Sequence, residues 1–524
     1  MKHYVRIIAA VLAAAFLFAL TGCSDSSGTN SFTWFVEDIP ANLDPQVASS
    51  PQDLIACQNL YGTLVRRNAD GQLVPDLCEA WTVSPDGLTY TFTLKSGLTY
   101  TGAKGAATEY PLTAQDFVYA FRRIFDPQTG SAYAVEFAAL ANSTAVLEGT
   151  ADPSTLGVSA AGDLKVVFTL STPDENFLAK LTLPGAAPCN QAFFESTRGT
   201  YGLTTAATLA SGSFYIYNWT ANGLFLRRDA AAPLINNLRL VQDTSGSGKT
   251  AAQLIADEKC SAALDDSGQA TSLRSVDYAD TTWALLFRST EDSVFASLPL
   301  RQALTGIALE SIQLPDSGLF QPVKGLVPTG LTVDGLDYRA AAGSQLPAIQ
   351  DPKALYLAAR QGMASSDFQG VTLLLPQGSG LTEVVEQING AWQRDCSLFF
   401  SVEEVPQEEF DQRLASGQYT IALAPIQAQG GSVYQMLGQF STQGGSLTGY
   451  TDRLLDQLLA ESAQTTGSSR CQLLSQCEGQ LLASCTVVPL AAQQKRLLLA
   501  DGIQGLVFDP FLPVLDLTET TRKN

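Results

Sequence analysis

Histidine is nearly absent from this chain. The 524 residues contain a single histidine, His3, which lies in an N-terminal segment that we expect to be removed on export. Hydrolases of the Ser-His-Asp and Cys-His types are therefore excluded, because both need an imidazole as the base. Zinc sites that depend on imidazole ligands are excluded for the same reason. We predict no catalytic residues, no metal ligands and no cofactor, and hence a protein that is not an enzyme.

Basic residues are also scarce. Lys plus Arg number 31 against 51 Asp plus Glu, which gives a formal net charge of −20. A surface this acidic repels phosphate backbones, so we expect no nucleic acid partner. The run GSGKT at 246–250 mimics the end of a P-loop, but Asp243 occupies the place of that motif's first glycine. A carboxylate there repels phosphate, so we do not expect nucleotide binding either.

Long apolar runs are missing outside the N-terminus. Ile7–Leu20 is an unbroken apolar stretch of about 14 residues, whereas a membrane-spanning helix needs roughly 20. Lys2 and Arg6 precede it, as in the charged start of a secretory signal. We therefore predict that the chain is exported and that this stretch is not a permanent transmembrane anchor.

A cysteine follows the signal. Thr21 and Gly22 come just before Cys23, and small residues ahead of a cysteine resemble a lipobox, in which the thiol is acylated. We predict that residues 1–22 are a lipoprotein signal peptide, that Cys23 is the lipidation site and that residues 23–31 form a flexible polar tether. The predicted location is the outer face of the cell membrane. The alternative is an ordinary signal peptide that happens to contain a cysteine.

Cysteine spacings typical of metal and redox sites are missing too. Beyond Cys23 the chain has eight cysteines, and no two of them are separated by two residues as in zinc and thioredoxin-like motifs. In an exported protein these cysteines could pair as disulfides or remain small buried thiols. The sequence leaves both possibilities open.

Strand alternation mixed with helical periodicity is what the chain does contain. Leu88–Leu94 alternates apolar residues with threonine, which predicts a strand with one buried face. Phe117–Ile124 carries apolar residues at helical spacing, with Asp116 near the expected helix start. With 45% hydrophobic residues, the chain is predicted to be a globular α/β protein of two or three domains.

The stretch 73–97 is the most specific part of the sequence. It reads LVPDLCEAWTVSPDGLTYTFTLKSG and resembles the signature of family 5 extracellular solute-binding proteins, the oligopeptide, dipeptide and nickel receptors of ABC importers. Within that family the chain most resembles the oligopeptide-binding branch. Further matching segments follow in the family's order: NLDPQ at 42–46, PLTAQDFVYAFRRIFDPQTGSAYA at 111–134, LEGTADPSTLGV at 147–158, SGSFYIYNWTANGLFLRR at 211–228 and LRQAL at 300–304.

The resemblance implies a two-lobed periplasmic-binding-protein fold, of the type II, cluster C-like kind, with an extra subdomain. In this fold the chain crosses twice between the lobes. The crossings are expected near Trp283–Arg288 and Pro489–Lys495, where they would act as hinges. The implied organisation is lobe one at 32–65, 195–282 and 491–524, a lobe-one subdomain at 66–194 and lobe two at 283–490.

The same resemblance implies ligand-contact residues in lobe one. Tyr133 matches a tyrosine that reaches the ligand from the subdomain of oligopeptide receptors. Ser49 and Ser50 follow the Leu-Asp-Pro opening, where the family places a loop against the peptide backbone. We predict all three as ligand-binding residues. The alternatives are a half-buried core tyrosine and an ordinary exposed loop.

Lobe two departs from the family's pattern. After YTIALAP at 419–425 the resembling receptors carry a Trp and, three residues later, an Asp that pairs with the peptide's α-amino group; here those positions are Ile426 and Gln429. A buried ammonium without a carboxylate is costly, so we do not expect a peptide held by its N-terminus. Gln429, Gln427 and Gln407, the last replacing another Trp, predict a polar, uncharged ligand wall. A divergent surface loop is the alternative.

We therefore predict a lipid-anchored extracellular receptor that captures a peptide by hinge closure and delivers it to an ABC permease. Its expected partners are a peptide or another small solute, the permease, and the membrane through the lipid anchor, and we expect a monomer. One alternative is a divergent family member that binds a non-peptide solute or acts as a sensor. Another is a secreted hydrolase with paired carboxylates, although the acidic residues form no recognisable motif.

Cys23→Ser should release the protein from the membrane, because the substitution removes the only predicted site of acylation. Detergent-phase partitioning of cells that express either form measures this. The thermal unfolding of the body should not change, since the predicted tether contributes no core residue. Equal partitioning of both forms into detergent would show that Cys23 is not the anchor.

Overall fold

A computed structural model describes residues 30–174, 176–243, 248–316, 318–428, 431–465, 467–511 and 514–523. The predicted signal peptide, Cys23, nearly all of the predicted tether and Gln429 lie outside these residues. The described chain mixes helices and strands throughout, as predicted. Its buried apolar residues form separate cores, which we call the lobe-one, subdomain and lobe-two cores.

The lobe-one core lies against a four-stranded sheet in which the first strand of the chain pairs in parallel with a strand about 200 residues later. Helix Pro51–Leu60 packs beside the C-terminal strand Val514–Asp516, and its Asn59 side chain donates to the Leu515 carbonyl. The strands of the sheet, in spatial order, are Ser31–Phe35, Asn237–Val241, Gly223–Arg227 and Tyr215–Thr220.

The subdomain core forms between a second four-stranded sheet and the helix Ala114–Ile124. Tyr90, Phe92 and Leu94 are buried as the alternation predicted. Asp116 occupies the third position of a capping box at the start of the helix, which explains why the helix begins there. The strands, in spatial order, are Cys78–Val83, Thr89–Leu94, Lys165–Thr169 and Val158–Ala160.

A seven-stranded sheet extends from lobe one into lobe two, and its lobe-two part has an apolar core on each face. Leu285 and Phe287 point into one core and Ala284 and Leu286 into the other, as the period of a strand buried on both faces requires. The strands, in spatial order, are Ala262–Asp265, Val487–Leu499, Arg274–Phe287, Ile421–Gln427, Thr372–Pro376 and Ser401–Val405, with Phe320–Pro322 paired to Val487–Leu499.

Two strands of this sheet connect the lobes: Arg274–Phe287 runs from lobe one into lobe two, and Val487–Leu499 returns from lobe two to lobe one; we call them the crossing strands. On the first, the ring of Tyr278 contacts Phe508 at the edge of the lobe-one core, whereas Trp283 is already part of the lobe-two core. The first passage between the cores therefore lies a few residues before the predicted one. The predicted lobe boundaries themselves stay predictions.

The remaining elements complete the two lobes and the subdomain. The other helices are Tyr133–Glu136, Ser143–Leu147, Phe177–Lys180, Gln191–Ser196, Ala251–Ala256, Leu298–Ser311, Tyr338–Ala342, Pro352–Ala359, Thr382–Cys396, Gln407–Ser416, Val433–Gly438, Arg453–Ser462 and Gly467–Ala483. The other strands are Val65–Arg67, Leu73–Pro75, Thr99–Thr101, Ala107–Pro111, Thr332–Val333, Leu336–Asp337, Ile503–Gln504, Val507–Asp509 and Thr521–Arg522.

Disulfides and membrane-spanning helices are both missing from the described residues. The eight cysteines that follow Cys23 are buried free thiols, which answers the question that the sequence left open. Burial raises the pKa of the Cys189 thiol and keeps it protonated. Across the described ranges, none of the helices combines the length and the apolar character that crossing a bilayer requires.

A buried ion pair fastens the subdomain to lobe one. Arg123, in the helix Ala114–Ile124, donates from Nη2 to Asp44 Oδ2 at 2.5 Å, and the two side chains are only 8% and 9% exposed. Its Nη1 also donates to Gln46 Oε1 at 2.6 Å, and the guanidinium lies 4.0 Å from the ring centroid of Phe194. Asp44 and Gln46 belong to the opening segment NLDPQ, so this segment is held from the subdomain side.

Arg123→Met should lower the free energy of unfolding by about 3–5 kcal/mol, because it leaves the Asp44 carboxylate buried without its charge partner. Urea denaturation measures the loss. The matched control is Lys249→Met, which breaks the ion pair between Lys249 and Asp257. The side chains of this pair are 38% and 45% exposed. That exposed pair is screened by solvent, so the control should differ little from the wild type. Equal losses in the two variants would contradict the prediction.

Candidate functional site

The parallel strands of lobe two form a topological switch point. Thr372–Pro376 is flanked by Ser401–Val405 on one side and by Ile421–Gln427 on the other, and both pair with it in parallel. The chain therefore runs from the middle strand to Ser401–Val405 on one side and then crosses over to Ile421–Gln427 on the other. In open α/β sheets, ligands bind at the carboxyl ends of strands at such a point. We call this the carboxyl edge of lobe two.

The register of the sheet shows which way this edge points. Ile421–Gln427 pairs antiparallel with the crossing strand Arg274–Phe287, with Ile421 opposite Phe287 and Gln427 opposite Thr281. Since the crossing strand enters lobe two from lobe one, the end marked by Gln427 is directed towards lobe one. The carboxyl edge therefore faces the other lobe, and the space between them is the candidate site.

Two of the predicted lobe-two residues meet at this edge. Gln427 is the last residue of its strand and is exposed. Gln407 begins the helix Gln407–Ser416, two residues after the neighbouring strand ends; it is also exposed, and its Nε2 donates to Asp411 Oδ1 at 2.9 Å. The middle strand separates them, so the two strand ends lie about 10 Å apart. Beyond them, the Ser432 hydroxyl caps the helix Val433–Gly438 by accepting from Gln435 N.

The predicted serines of lobe one lie in a loop held by carboxylates. Ser49 is exposed, whereas Ser50 accepts a hydrogen bond from Asp53 N as the N-cap of the helix Pro51–Leu60. Asp53 in turn accepts from the backbone N–H groups of Ala41 and Asn42 at 2.7 and 3.2 Å. The loop is therefore preorganised, and of the two serines only Ser49 presents a hydroxyl that does not cap the helix.

The side chain of Tyr133 is packed against the protein, whereas a residue that only contacts ligand would be more exposed. Its ring lies on Gly185, where an added Cβ would stand 2.3 Å from Tyr133 Cδ2. Burial raises the pKa of Tyr133 far above its usual range, the Cys57 thiol adds to the rise, and a hydrogen bond with the Gly185 backbone opposes it. The phenol is thus neutral and able to donate.

Gln46 connects the segments that carry the predicted lobe-one residues, although the sequence analysis did not predict a role for it. It is fully buried, and its Nε2 donates to the carbonyls of Gly185 and Ala187 at 3.2 and 3.0 Å. Its own carbonyl accepts from Ser131 Oγ at 2.6 Å, two residues before Tyr133. The structure therefore brings Tyr133 and the Ser49 loop to one place. The signal was available, since Gln46 ends the quoted segment NLDPQ.

The crossing strands supply the remaining polar groups near the carboxyl edge. Lys495 Nζ lies 2.9 Å from Asp280 Oδ2, and both side chains are about a quarter exposed, at 25% and 21%. Ala428 N donates to the Asp280 carbonyl at 2.9 Å, which ties the residue after the strand Ile421–Gln427 to the crossing strand. The ion pair was missed because its partners are 215 positions apart in the sequence.

The family of the chain follows from its sequence taken with this architecture. Residues 72–447 match the profile of bacterial extracellular solute-binding proteins, family 5. The chain belongs to this family. Similar curated proteins are the dipeptide-binding protein of Lactococcus lactis, 28% identical over 207 residues, and the periplasmic murein peptide-binding protein MppA of Escherichia coli, 33% identical over 181 residues. These alignments cover 40% and 33% of this chain, and 36% and 32% of the relatives' own lengths.

Solved structures of this family share the fold over nearly the whole chain. Listeria monocytogenes OppA bound to peptide has a TM-score of 0.67 at 20% identity, covering 95% of this chain and 100% of the other. HbpA2 from Haemophilus parasuis has a TM-score of 0.70 at 19% identity, covering 94% of this chain and 100% of the other. The predicted two-lobed α/β fold is therefore confirmed.

Gly185→Ala should destabilise the protein by about 1–3 kcal/mol, because the new methyl group collides with the ring of Tyr133. The same substitution made in a Tyr133→Ala background should cost far less, since the ring is gone. Thermal unfolding of the four proteins of this double-mutant cycle gives the coupling energy. Additive effects would mean that Tyr133 points away from Gly185 and into the cleft.

Proposed function

We propose that this protein is a receptor of an ABC importer that captures a peptide between its two lobes and delivers it to the permease. The observation that carries the proposal is the carboxyl edge of lobe two. This edge is directed towards lobe one and carries the exposed residues Gln427 and Gln407. Family membership supports it, as do relatives that are named dipeptide-, murein peptide- and oligopeptide-binding proteins.

Capture uses hydrogen bonds and closure, with no covalent step. Gln427 and Gln407 each offer an amide donor and an amide acceptor, which match the N–H and C=O groups of a peptide backbone. From lobe one, the Ser49 loop and the phenol of Tyr133 complete the site. A ligand that touches both lobes binds the closed arrangement more tightly than the open one, so it shifts the population towards closure.

The proposal includes the location and the partners. An acylated Cys23 holds the chain at the outer face of the cell membrane, and the polar stretch up to residue 31 lets the lobes reach the permease. The protein acts as a monomer. The lobe and subdomain boundaries given from the sequence are part of the same proposal, with closure occurring about the two crossing strands.

A non-peptide solute is the second candidate for the ligand. Position 429 holds glutamine where the resembling peptide receptors carry the carboxylate that pairs with an α-amino group. One similar protein is the probable deoxycholate-binding periplasmic protein YgiS of Escherichia coli, 30% identical over 185 residues, which cover 35% of this chain and 33% of that protein. Both observations favour a ligand that lacks a free α-amino group.

Native ligand retained by the purified mature chain should be a peptide, released on denaturation and identified by mass spectrometry. The control is the same protein unfolded, dialysed and refolded without added ligand, which should release nothing. Release of a steroid or another non-peptide solute would replace the proposal by the second candidate.

If a peptide is recovered in this way, a sharper test is whether the protein recognises its α-amino group. The free-amine and N-acetylated forms should bind the wild type about equally in calorimetry, because Gln429 carries no charge. Gln429→Asp should then favour the free amine by about 1 kcal/mol or more. The matched control is Gln427→Asp, which adds the same charge two residues away. A wild type that strongly prefers the free amine must hold it with another carboxylate.

A further inference from the structure

A short hairpin of lobe two carries a buried carboxylate at its turn. Strands Thr332–Val333 and Leu336–Asp337 form the hairpin, and Asp334 lies in the turn with a positive φ of 51°. Aspartate tolerates this left-handed conformation better than most residues. The Asp334 side chain is only 1% exposed, so its charge must be satisfied by neighbouring donors.

Two of those donors come from lobe two and one comes from the subdomain. Gly467 N donates to Asp334 Oδ2 at 2.6 Å, and Arg470 Nη1 lies 3.4 Å from Oδ1; both residues belong to the helix Gly467–Ala483. Asn176, which precedes the subdomain residue Phe177, donates from Nδ2 to Asp334 Oδ1 at 2.5 Å. We call this last hydrogen bond the clasp.

The two ends of the clasp belong to different bodies. Asn176 immediately precedes Phe177, which is fully buried in the subdomain core, whereas Val333, next to Asp334, is buried in the lobe-two core. Lobe two and the subdomain are connected covalently only by way of lobe one. A change in the angle between the lobes, by bending at the crossing strands, therefore alters the distance between Asn176 and Asp334.

A second contact between lobe two and the rest of the protein lies close to the clasp. Phe511 comes from the C-terminal segment, whose Phe508 packs on the lobe-one core. Its side chain packs instead on the lobe-two core, beside Gly431 and Leu331. Leu331 lies three residues before Asp334. The segment that leads into the hairpin thus lies near Phe511 of the C-terminal segment, and the hairpin turn itself contacts Asn176 of the subdomain.

We propose that the clasp sets the ratio of closed to open receptor and thereby the affinity for ligand, without touching the ligand. A hydrogen bond to a carboxylate is stronger than one between neutral groups, and this one forms only when subdomain and lobe two meet. On opening, Asp334 keeps Gly467 N and Arg470 and gains water, so the clasp biases the equilibrium and does not lock it. Apparent affinity scales with the population of the competent state.

This inference rests on the hinge closure proposed above but on no particular ligand, so its test uses the ligand-free mature chain. Asn176→Asp places a second carboxylate against Asp334, and the closed-to-open ratio should fall about tenfold. Small-angle X-ray scattering should show a larger radius of gyration. Asn176→Ala, which only removes the donor, should move the radius in the same direction by less. Melting temperatures should stay close to that of the wild type, because each lobe keeps its core.

A charge swap provides the rescue. Asn176→Asp combined with Asp334→Asn puts the carboxylate on the subdomain and the amide on the hairpin, so donor and acceptor exchange places and Arg470 can pair across the gap. The radius of gyration should return to the wild-type value. The matched control is Asn222→Asp, the same change in an exposed turn of the lobe-one sheet, which should leave the radius unchanged.

The outcomes separate the clasp from the hinge. An unchanged radius in Asn176→Asp, or a swap that fails to reverse the change, overturns the clasp. Opening by Asn176→Asp and reversal by the swap support it. Hinge closure is judged independently, by whether the wild-type radius falls when the peptide recovered from the native protein is added.

Discussion

The pairing of the two crossing strands is the constraint on which the rest of this structure depends. Arg274–Phe287 and Val487–Leu499 are long neighbours in one sheet. Val487–Leu499 contributes to the cores of both lobes, whereas Arg274–Phe287 contributes to the lobe-two core and reaches the edge of the lobe-one core through Tyr278. Their backbone ladder holds the lobes together however far these open. Its register shifts between Tyr278 and Thr281, where the chain passes between the cores, and again between Trp283 and Ala284. A bulge bends and twists a strand locally, so the ladder is most easily flexed there.

The same ladder also fixes what faces the cleft. Because Ile421–Gln427 is registered on the first crossing strand, the switch point of lobe two can present only its carboxyl edge to lobe one. On the opposite wall, the buried pair of Arg123 and Asp44 holds the opening segment and Gln46, and through Gln46 the subdomain residues around Tyr133. Each wall is rigid in itself. The adjustable quantity is the angle between them, which contacts at the rim can bias.

Local patterns in the sequence predicted the local parts of this architecture. The alternation at Leu88–Leu94 and the apolar period of Phe117–Ile124 each depend on residues within one element, and both are borne out by burial. The pairings of Asp280 with Lys495 and of Asn176 with Asp334 were not predicted. Their partners are 215 and 158 positions apart, and only the assembled fold brings them together. No local period carries that information.

Charge at the candidate site is balanced before any ligand arrives. At the carboxyl edge, Gln427 and Gln407 are neutral, and on the crossing strand Asp280 is neutralised by Lys495. A ligand that carried an unpaired charge into the closed cleft would have to break this ion pair or remain uncompensated, and either cost is several kcal/mol when water is excluded. Neutral amides meet no such penalty, because a glutamine amide contains both hydrogen-bond donors and an acceptor. The site proposed here would therefore select by hydrogen-bond pattern more than by charge, which would suit the interior of a peptide better than its ends.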